Sequence, residues 1–213
     1  VEIKRKGLKK GLALVLAPHR SEASWEKYIR CVNESLKEAG AEEISYEYLK
    51  PWHENPGFIG AQTEEAQKIL QNLSPEDKKG LHVIFCAHSI PVEMSERSHY
   101  AQEFQTSALL IARELGLSSW KIAYQSRSGN LRQPWLEPDL RSLFEKVKSE
   151  GGTGVMIVPV GFWCDNVEVL FDLDIEAKLE AEKKDLKFWR VPTVANNPRF
   201  TGMFSDLIQN QLK

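Results

Sequence analysis

Two hydrophobic periods take turns along this chain. Short apolar runs of strand length give way to stripes recurring every three or four residues, and the exchange repeats from one end to the other. Residues 12–17 read as a buried strand. Trp25, Tyr28, Ile29, Val32 and Leu36 then follow helical spacing, with Ser21 or Ser24 placed to cap the helix and Gly40 to stop it. Residues 44–49 form the next strand, and Ala66, Ile69, Leu70 and Leu73 mark a short helix. Ser74-Pro75-Glu76 opens a further turn, serine as cap and proline in the first helical position. A strand over 82–86 precedes the stripe Phe104, Ala108, Ile111 and Leu115, which Gly116 ends. Lys121–Gln125 is a short strand, and Leu140, Leu143, Phe144 and Val147 form a helix that Asp139 can cap. Residues 154–159 are the most apolar strand, 186–191 the last one, and Phe200, Phe204, Leu207 and Leu212 a closing helix.

One segment reads both ways. Phe171-Asp172-Leu173-Asp174-Ile175-Glu176 alternates with period two, like a strand, yet it runs into the helix-forming Ala177-Lys178-Leu179-Glu180-Ala181-Glu182. Its length and its place after a buried strand favour helix. The whole alternation predicts an α/β fold of parallel sheets with helices on both faces. One sheet or two would fit, and the polar stretch 74–80 is the best candidate for a boundary between lobes.

Composition acts mainly by exclusion. A length of 213 residues can bury a core in one large or two small domains. The formal net charge of −2 argues against a nucleic-acid or anionic-membrane surface, since only residues 1–10 are locally basic. No apolar run reaches membrane-spanning length and no signal peptide is visible. Cys31, Cys86 and Cys164 include no CxxC pair, which argues against a disulfide framework or a four-cysteine zinc site and offers no clear ligand set for an iron–sulfur cluster. A reducing cytoplasm fits best.

Titratable and polar groups concentrate just after the strands, where open α/β sheets bind ligands. The apolar run ending in Ala87-His88-Ser89-Ile90-Pro91 puts His88 at a strand end, and imidazole there can hold a divalent metal or take a proton. A histidine bonded only to its own loop would look the same. His19 is a weaker candidate, while His53, His82 and His99 read as structural or solvated. Glu168 sits in the first turn after a strand, where a carboxylate also suits the helix dipole. Glu168, Asp172 and Glu176 recur every four residues, an acidic line on a helix whose repulsion a metal ion or proton would relieve; a solvated acidic face is the alternative. Gln125-Ser126-Arg127-Ser128-Gly129 offers an amide, hydroxyls and a guanidinium able to pair with a substrate carboxylate. Trp52, Trp135 and Trp163 could supply flat walls or ordinary packing. There is no P-loop, dinucleotide fingerprint or Gly-x-Ser-x-Gly elbow.

Several segments together resemble the ferrochelatase family. They are Ala87-His88-Ser89-Ile90-Pro91, Gln125-Ser126-Arg127, Trp135-Leu136-x-Pro138, and Pro159-Val160-Gly161-Phe162 followed by Asp165-x-x-Glu168-Val169-Leu170-x-x-x-Asp174. Pro18-His19-x-Ser21 and Asn197-Pro198-x-Phe200 agree with flanking family segments, so the likeness runs over essentially the whole chain. It implies insertion of ferrous iron into a porphyrin in haem biosynthesis, by a chelatase-like fold of two lobes, each a four-stranded parallel sheet, with the porphyrin between them. Residues 1–77 would then be the C-terminal part of an incomplete first lobe and 78–213 the second lobe, the closing helix packing back on the first.

Carried over residue by residue, the resemblance makes His88 and Glu168 catalytic and metal-binding, with Glu168 facing His88 across the macrocycle. It makes Asp172 and Glu176 a metal or proton path. It assigns His19, Arg20, Ser21, Gln125, Ser126, Arg127 and Trp163 to porphyrin binding. Ferrous iron would be a substrate, and no prosthetic group is required. Porphyrin and iron would be the partners, with no nucleic acid; peripheral membrane contact and oligomeric state stay open. Two departures stand out: Asn166 replaces a histidine usual in the family motif, and the chain begins partway through the first lobe. Two other readings remain, a non-catalytic tetrapyrrole- or haem-binding protein and a cobalt or nickel tetrapyrrole chelatase.

Overall fold

In the computed structural model, which describes residues 2–129 and 133–212, β3 (Leu81–His88) and β5 (Gly154–Val158) lie side by side in the middle of a four-stranded parallel sheet. Strand β4 (Lys121–Gln125) flanks β3 and β6 (Lys187–Arg190) flanks β5, giving the order β4-β3-β5-β6. Strands β1 (Lys10–Ala13) and β2 (Ser45–Tyr48) pair in parallel as a separate sheet, Lys10 opposite Ser45. Around them run helices α1 (Glu2–Arg5), α2 (Lys27–Glu38), α3 (Pro56–Asn72), α4 (Pro75–Lys79), α5 (Val92–Glu96), α6 (Tyr100–Glu114), α7 (Leu140–Ser149), α8 (Val167–Val169), α9 (Lys178–Glu182) and α10 (Pro198–Gln211). Two wide π-type segments complete the list: Glu22–Glu26 leads into α2, and Leu170–Ala177 joins α8 to α9.

Parallel strands covered on both faces should be apolar, and β5 is so throughout and β3 from Val83 to Ala87. Val83, Phe85 and Ala87, with Met156 and Val158, face one core, which α3, α6 and α10 complete with Phe58, Phe104 and Phe200. Ile84 and Cys86, with Val155 and Ile157, face a second core, closed by Phe144 of α7 and by Val169, Leu173 and Ala177 after β5. Although α3 precedes the polar stretch 74–80, it is built into the same core as β3, and α10 packs on it so closely that a Cβ on Gly57 would lie 2.7 Å from Met203 Cβ.

This arrangement positions the site. The helix after β3 covers one face of the sheet and the helix after β5 the other. Their chains therefore diverge, and a crevice opens above the C-terminal ends of β3 and β5, where the strand order reverses.

Three elements depart from the sequence expectation. The strand expected over 12–17 is β1, ending at Ala13; beyond it the carbonyls of Val15 and Ala17 are taken by indole N–H groups, Trp52 at 3.0 Å and Trp25 at 3.2 Å, rather than by a neighbouring strand. The short helix expected around 66–73 is α3, which starts at Pro56 behind the Asn55 cap. The ambiguous segment 171–176 is helical, but with π-type turns.

Candidate active site

His88 ends β3 and is fixed through its neighbours. The amide of Ser89 donates to the Gln125 carbonyl and its hydroxyl to the Leu136 carbonyl at 2.9 Å. The buried Tyr100 hydroxyl donates to the carbonyl of His88 itself at 2.8 Å. The ring is fixed too, with Nδ1 against the Ser89 carbonyl and Nε2 3.0 Å from Oε1 of Glu168. Because the Ser89 carbonyl can only accept, Nδ1 is the donor, and Nε2 faces the Glu168 carboxylate across a contact that a shared proton or an ion must bridge.

Glu168 arrives from the adjacent strand. After β5 the chain turns so closely past β3 that a Cβ on Gly161 would stand 2.6 Å from both Cα and Cβ of Ala87, so only glycine fits without a backbone shift. The Gly161 amide donates to the Cys86 carbonyl at 3.0 Å. Asn166 then caps the next helix, its Oδ1 accepting from the Val169 amide at 2.8 Å. The position at which the resemblance led one to expect histidine is thus a helix cap.

The π-type segment makes the acidic line continuous. In an α-helix every fourth residue overshoots a full turn by ~40°, whereas wider turns reduce that drift. Glu168, Asp172 and Glu176 accordingly all line one cavity of about 660 Å³, together with Gln125, Ser126 and Arg127. Such wide turns inside helices recur at functional sites. Ser126, held at φ 60°, donates its hydroxyl to the Asp172 carboxylate. Arg190 binds the other side of the segment, with hydrogen bonds to Asp174 at 2.5 and 2.9 Å and to Asp165 at 2.8 Å. Burial opposes the Arg190 charge, but these carboxylates outweigh it and raise its pKa.

A second cavity, of about 480 Å³, adjoins the first and is more apolar. Pro18, His19, Ile90, Met94, Tyr100, Trp135 and Phe162 line it, and His88 opens into it. Ser128 lines both cavities, so the His88–Glu168 contact stands where they meet. That volume lies within the range of small-molecule sites.

His19 is a buried wall residue. Its Nε2 lies 3.1 Å from the Ser107 hydroxyl, and that hydroxyl donates to the His53 carbonyl at 2.7 Å. Nε2 therefore carries the proton, and the buried Nδ1 has no hydrogen-bond partner among the described residues. Burial, and secondarily the nearby His53, pushes the His19 pKa down from 6.5 to about 3, so the ring is neutral.

The residues expected to bind porphyrin divide. His19 and Ser21 line the apolar cavity, while Gln125, Ser126 and Arg127 line the acidic one. Arg20 is committed elsewhere: its guanidinium and its amide both bind the buried carboxylate of Glu103. Trp163 lines neither cavity and stacks on Phe200 at 6.4 Å, and Trp52 lies in the core; of the three tryptophans only Trp135 forms a wall. A gap of macrocycle width between His88 and Glu168 is also corrected, because at 3.0 Å nothing flat fits between them and they form one wall. Tyr100, Met94 and Phe162 escape the sequence reading, since apolar residues beside a strand end look like core.

Among the described residues no three His, Cys, Asp or Glu side chains group closely enough to hold a metal ion. His88 and Glu168 thus form a pair of adjacent donor side chains rather than a complete metal cage among those residues. Among the same residues no helix is long and apolar enough to cross a membrane.

Comparison with known proteins agrees with these motifs. A family model described as ferrochelatase matches residues 1–212. A ferrochelatase of Deinococcus radiodurans is 32% identical over 208 residues, covering 96% of this chain and 65% of that protein. A coproporphyrin III ferrochelatase of a Geobacillus species is 31% identical, covering 97% and 66%. The chain thus spans slightly less than two thirds of these curated relatives. In fold it is similar to SirB from Bacillus subtilis, solved with Fe3+, at a TM-score of 0.67 and 11% identity over 98% of this chain and 73% of that one.

Proposed function

This chain belongs to the ferrochelatase family, and from that premise we propose that it inserts ferrous iron into a porphyrin, a step of haem biosynthesis. The porphyrin occupies the apolar cavity, iron approaches along Glu176, Asp172 and Glu168, and the two meet at His88. The observation that carries this reading is the 3.0 Å contact of His88 Nε2 with Glu168 Oε1 at the junction of the two cavities.

The chemistry asks for what these groups can do. Two pyrrole protons leave as one dication enters, so the site needs a proton acceptor and a ligand that lets go. Nε2 of His88 can accept a proton or bind the ion, and Glu168 can accept a proton and pass it outward along the acidic line. At 3.0 Å apart, Nε2 and Oε1 are close enough that both could serve as ligands of one ion. With only two protein donors the ion keeps positions for pyrrole nitrogens and is released once the macrocycle takes it. Ser128, which lines both cavities, and its neighbour Arg127 carry groups suited to the carboxylates of a porphyrin. Three unpaired cysteines suit a reducing cytoplasm as the place of action.

The test is catalytic turnover. The intact chain, given ferrous iron and a porphyrin without oxygen, should form iron porphyrin over many cycles, and His88→Ala should not. A chain that binds porphyrin tightly yet takes up no metal would make this a tetrapyrrole-binding protein instead.

A further inference from the structure

We infer that Arg190 is a positioning residue for metal uptake, holding the carboxylates of the acidic line toward their cavity by taking two of their neighbours out of it; this rests on the function proposed above. Between residues 165 and 176 the chain carries Asp165, Glu168, Asp172, Asp174 and Glu176, and no lysine or arginine. Five like charges on one loop and helix repel one another. Helical spacing turns Glu168, Asp172 and Glu176 to the cavity, and Arg190, at the end of β6, holds the two that face away from it.

Its guanidinium grips Asp174 through Nε and Nη2, at 2.5 and 2.9 Å, and Asp165 through Nη1 at 2.8 Å. Asp165 lies in the loop before Glu168, and Asp174 lies two residues beyond Asp172. One planar fork therefore clamps the chain on either side of Glu168 and Asp172, just before Glu176, and ties it to the sheet edge. The fork geometry matters as much as the charge, since lysine cannot bond two carboxylates in this way. The side chain is only 14% exposed, so water competes weakly for these bonds. With Asp165 and Asp174 bonded to Arg190, Glu168, Asp172 and Glu176 are left to the cavity that all three line.

The experiment uses the intact chain as wild type, Arg190→Lys and Asp174→Asn, with circular dichroism to report folding. Cobalt(II) absorption titrations report metal binding directly. Anaerobic turnover gives KM for iron, KM for porphyrin and kcat. Residues that orient metal ligands typically change affinity ~10–100-fold when altered. We expect both variants to be folded, to bind cobalt ~10-fold or more weakly, to raise KM for iron, and to leave KM for porphyrin unchanged. Arg190→Lys should fall nearer Asp174→Asn than wild type, since charge without the fork does not hold two carboxylates. Folded variants with wild-type cobalt affinity and iron KM would overturn the inference. So would loss of fold in both, which would make the clamp structural only. If wild type itself neither binds metal nor turns over, it is the proposed function that fails.

Discussion

His88 and Glu168 touch at 3.0 Å although they follow different strands, because β3 and β5 are neighbours whose next helices cover opposite faces of the sheet. The topology makes the crevice, and the close turn at Gly161 with the cap at Asn166 bring the carboxylate into it. An apolar cavity ends on the imidazole and an acidic one on the carboxylate, so one point is reached from two sides of unlike character.

His88→Ala and Glu168→Gln should separate binding from chemistry. Both side chains are partly exposed, and neither belongs to a core cluster, so both variants should fold and keep porphyrin affinity close to wild type. Insertion by His88→Ala should be lost, and Glu168→Gln should lower kcat by ~10²–10⁴-fold, the range for removing a proton-transfer group. Porphyrin fluorescence quenching gives the affinity and iron-porphyrin absorbance the rate. An unchanged kcat in Glu168→Gln would remove the carboxylate from the chemistry.

The cap at Asn166 predicts a stability effect. Asn166→Ala removes the acceptor for the Val169 amide and should lower stability by ~1 kcal/mol, while Asn166→Ser should keep most of it. In a chain of this size that is a fall of ~2–4 °C in Tm. Equal melting of the alanine and serine variants would mean that the bond contributes nothing.

His88, Glu168, Asp172 and Glu176 are legible in the sequence because a strand end and a four-residue spacing are local patterns. The βα alternation is legible for the same reason. Partners distant in sequence are not: Arg190 reads as an ordinary basic residue until the fold brings Asp165 and Asp174 to it. Nor does the sequence of Arg20 reveal that Glu103, on α6, will take its guanidinium. Trp52 and Trp163 look like candidate walls because an indole suits a ligand face and a core equally well; only the fold puts one against Val15 and the other on Phe200. The early start of α3 hides behind Gly57 and Gly60, which dilute the helical stripe and are small because α10 side chains pack against them.

Gly161→Ala tests the close turn. A Cβ there meets backbone and Cβ of Ala87, neither of which can swing aside, so the loop must move outward. Overpacking of this kind destabilises by ~1–3 kcal/mol. Because the same loop delivers Glu168, kcat should fall further than the stability loss explains at temperatures where the variant is fully folded. Wild-type turnover in the folded variant would show that Glu168 is placed independently of Gly161.

His19 predicts how stability depends on pH. Its ring is neutral in the fold, with a pKa pushed down from 6.5 to about 3 by burial and then by His53. Between those values the unfolded chain binds a proton that the folded chain does not, so stability rises with pH and is lost as pH falls from 6.5 toward 3. Below about 3 both states are protonated and this contribution stops changing. One proton gives a slope of up to ~1.4 kcal/mol per pH unit. Nearby His53 shares the trend, its pKa lowered by burial although Glu103 opposes the shift, so the slope of wild type alone does not isolate His19. The comparison that does is wild type against His19→Gln, each unfolded in denaturant at pH 7 and at pH 5. The glutamine variant, with nothing to titrate at that position, should lose less stability between the two. Identical losses would mean that the buried ring is not what makes this fold sensitive to acid.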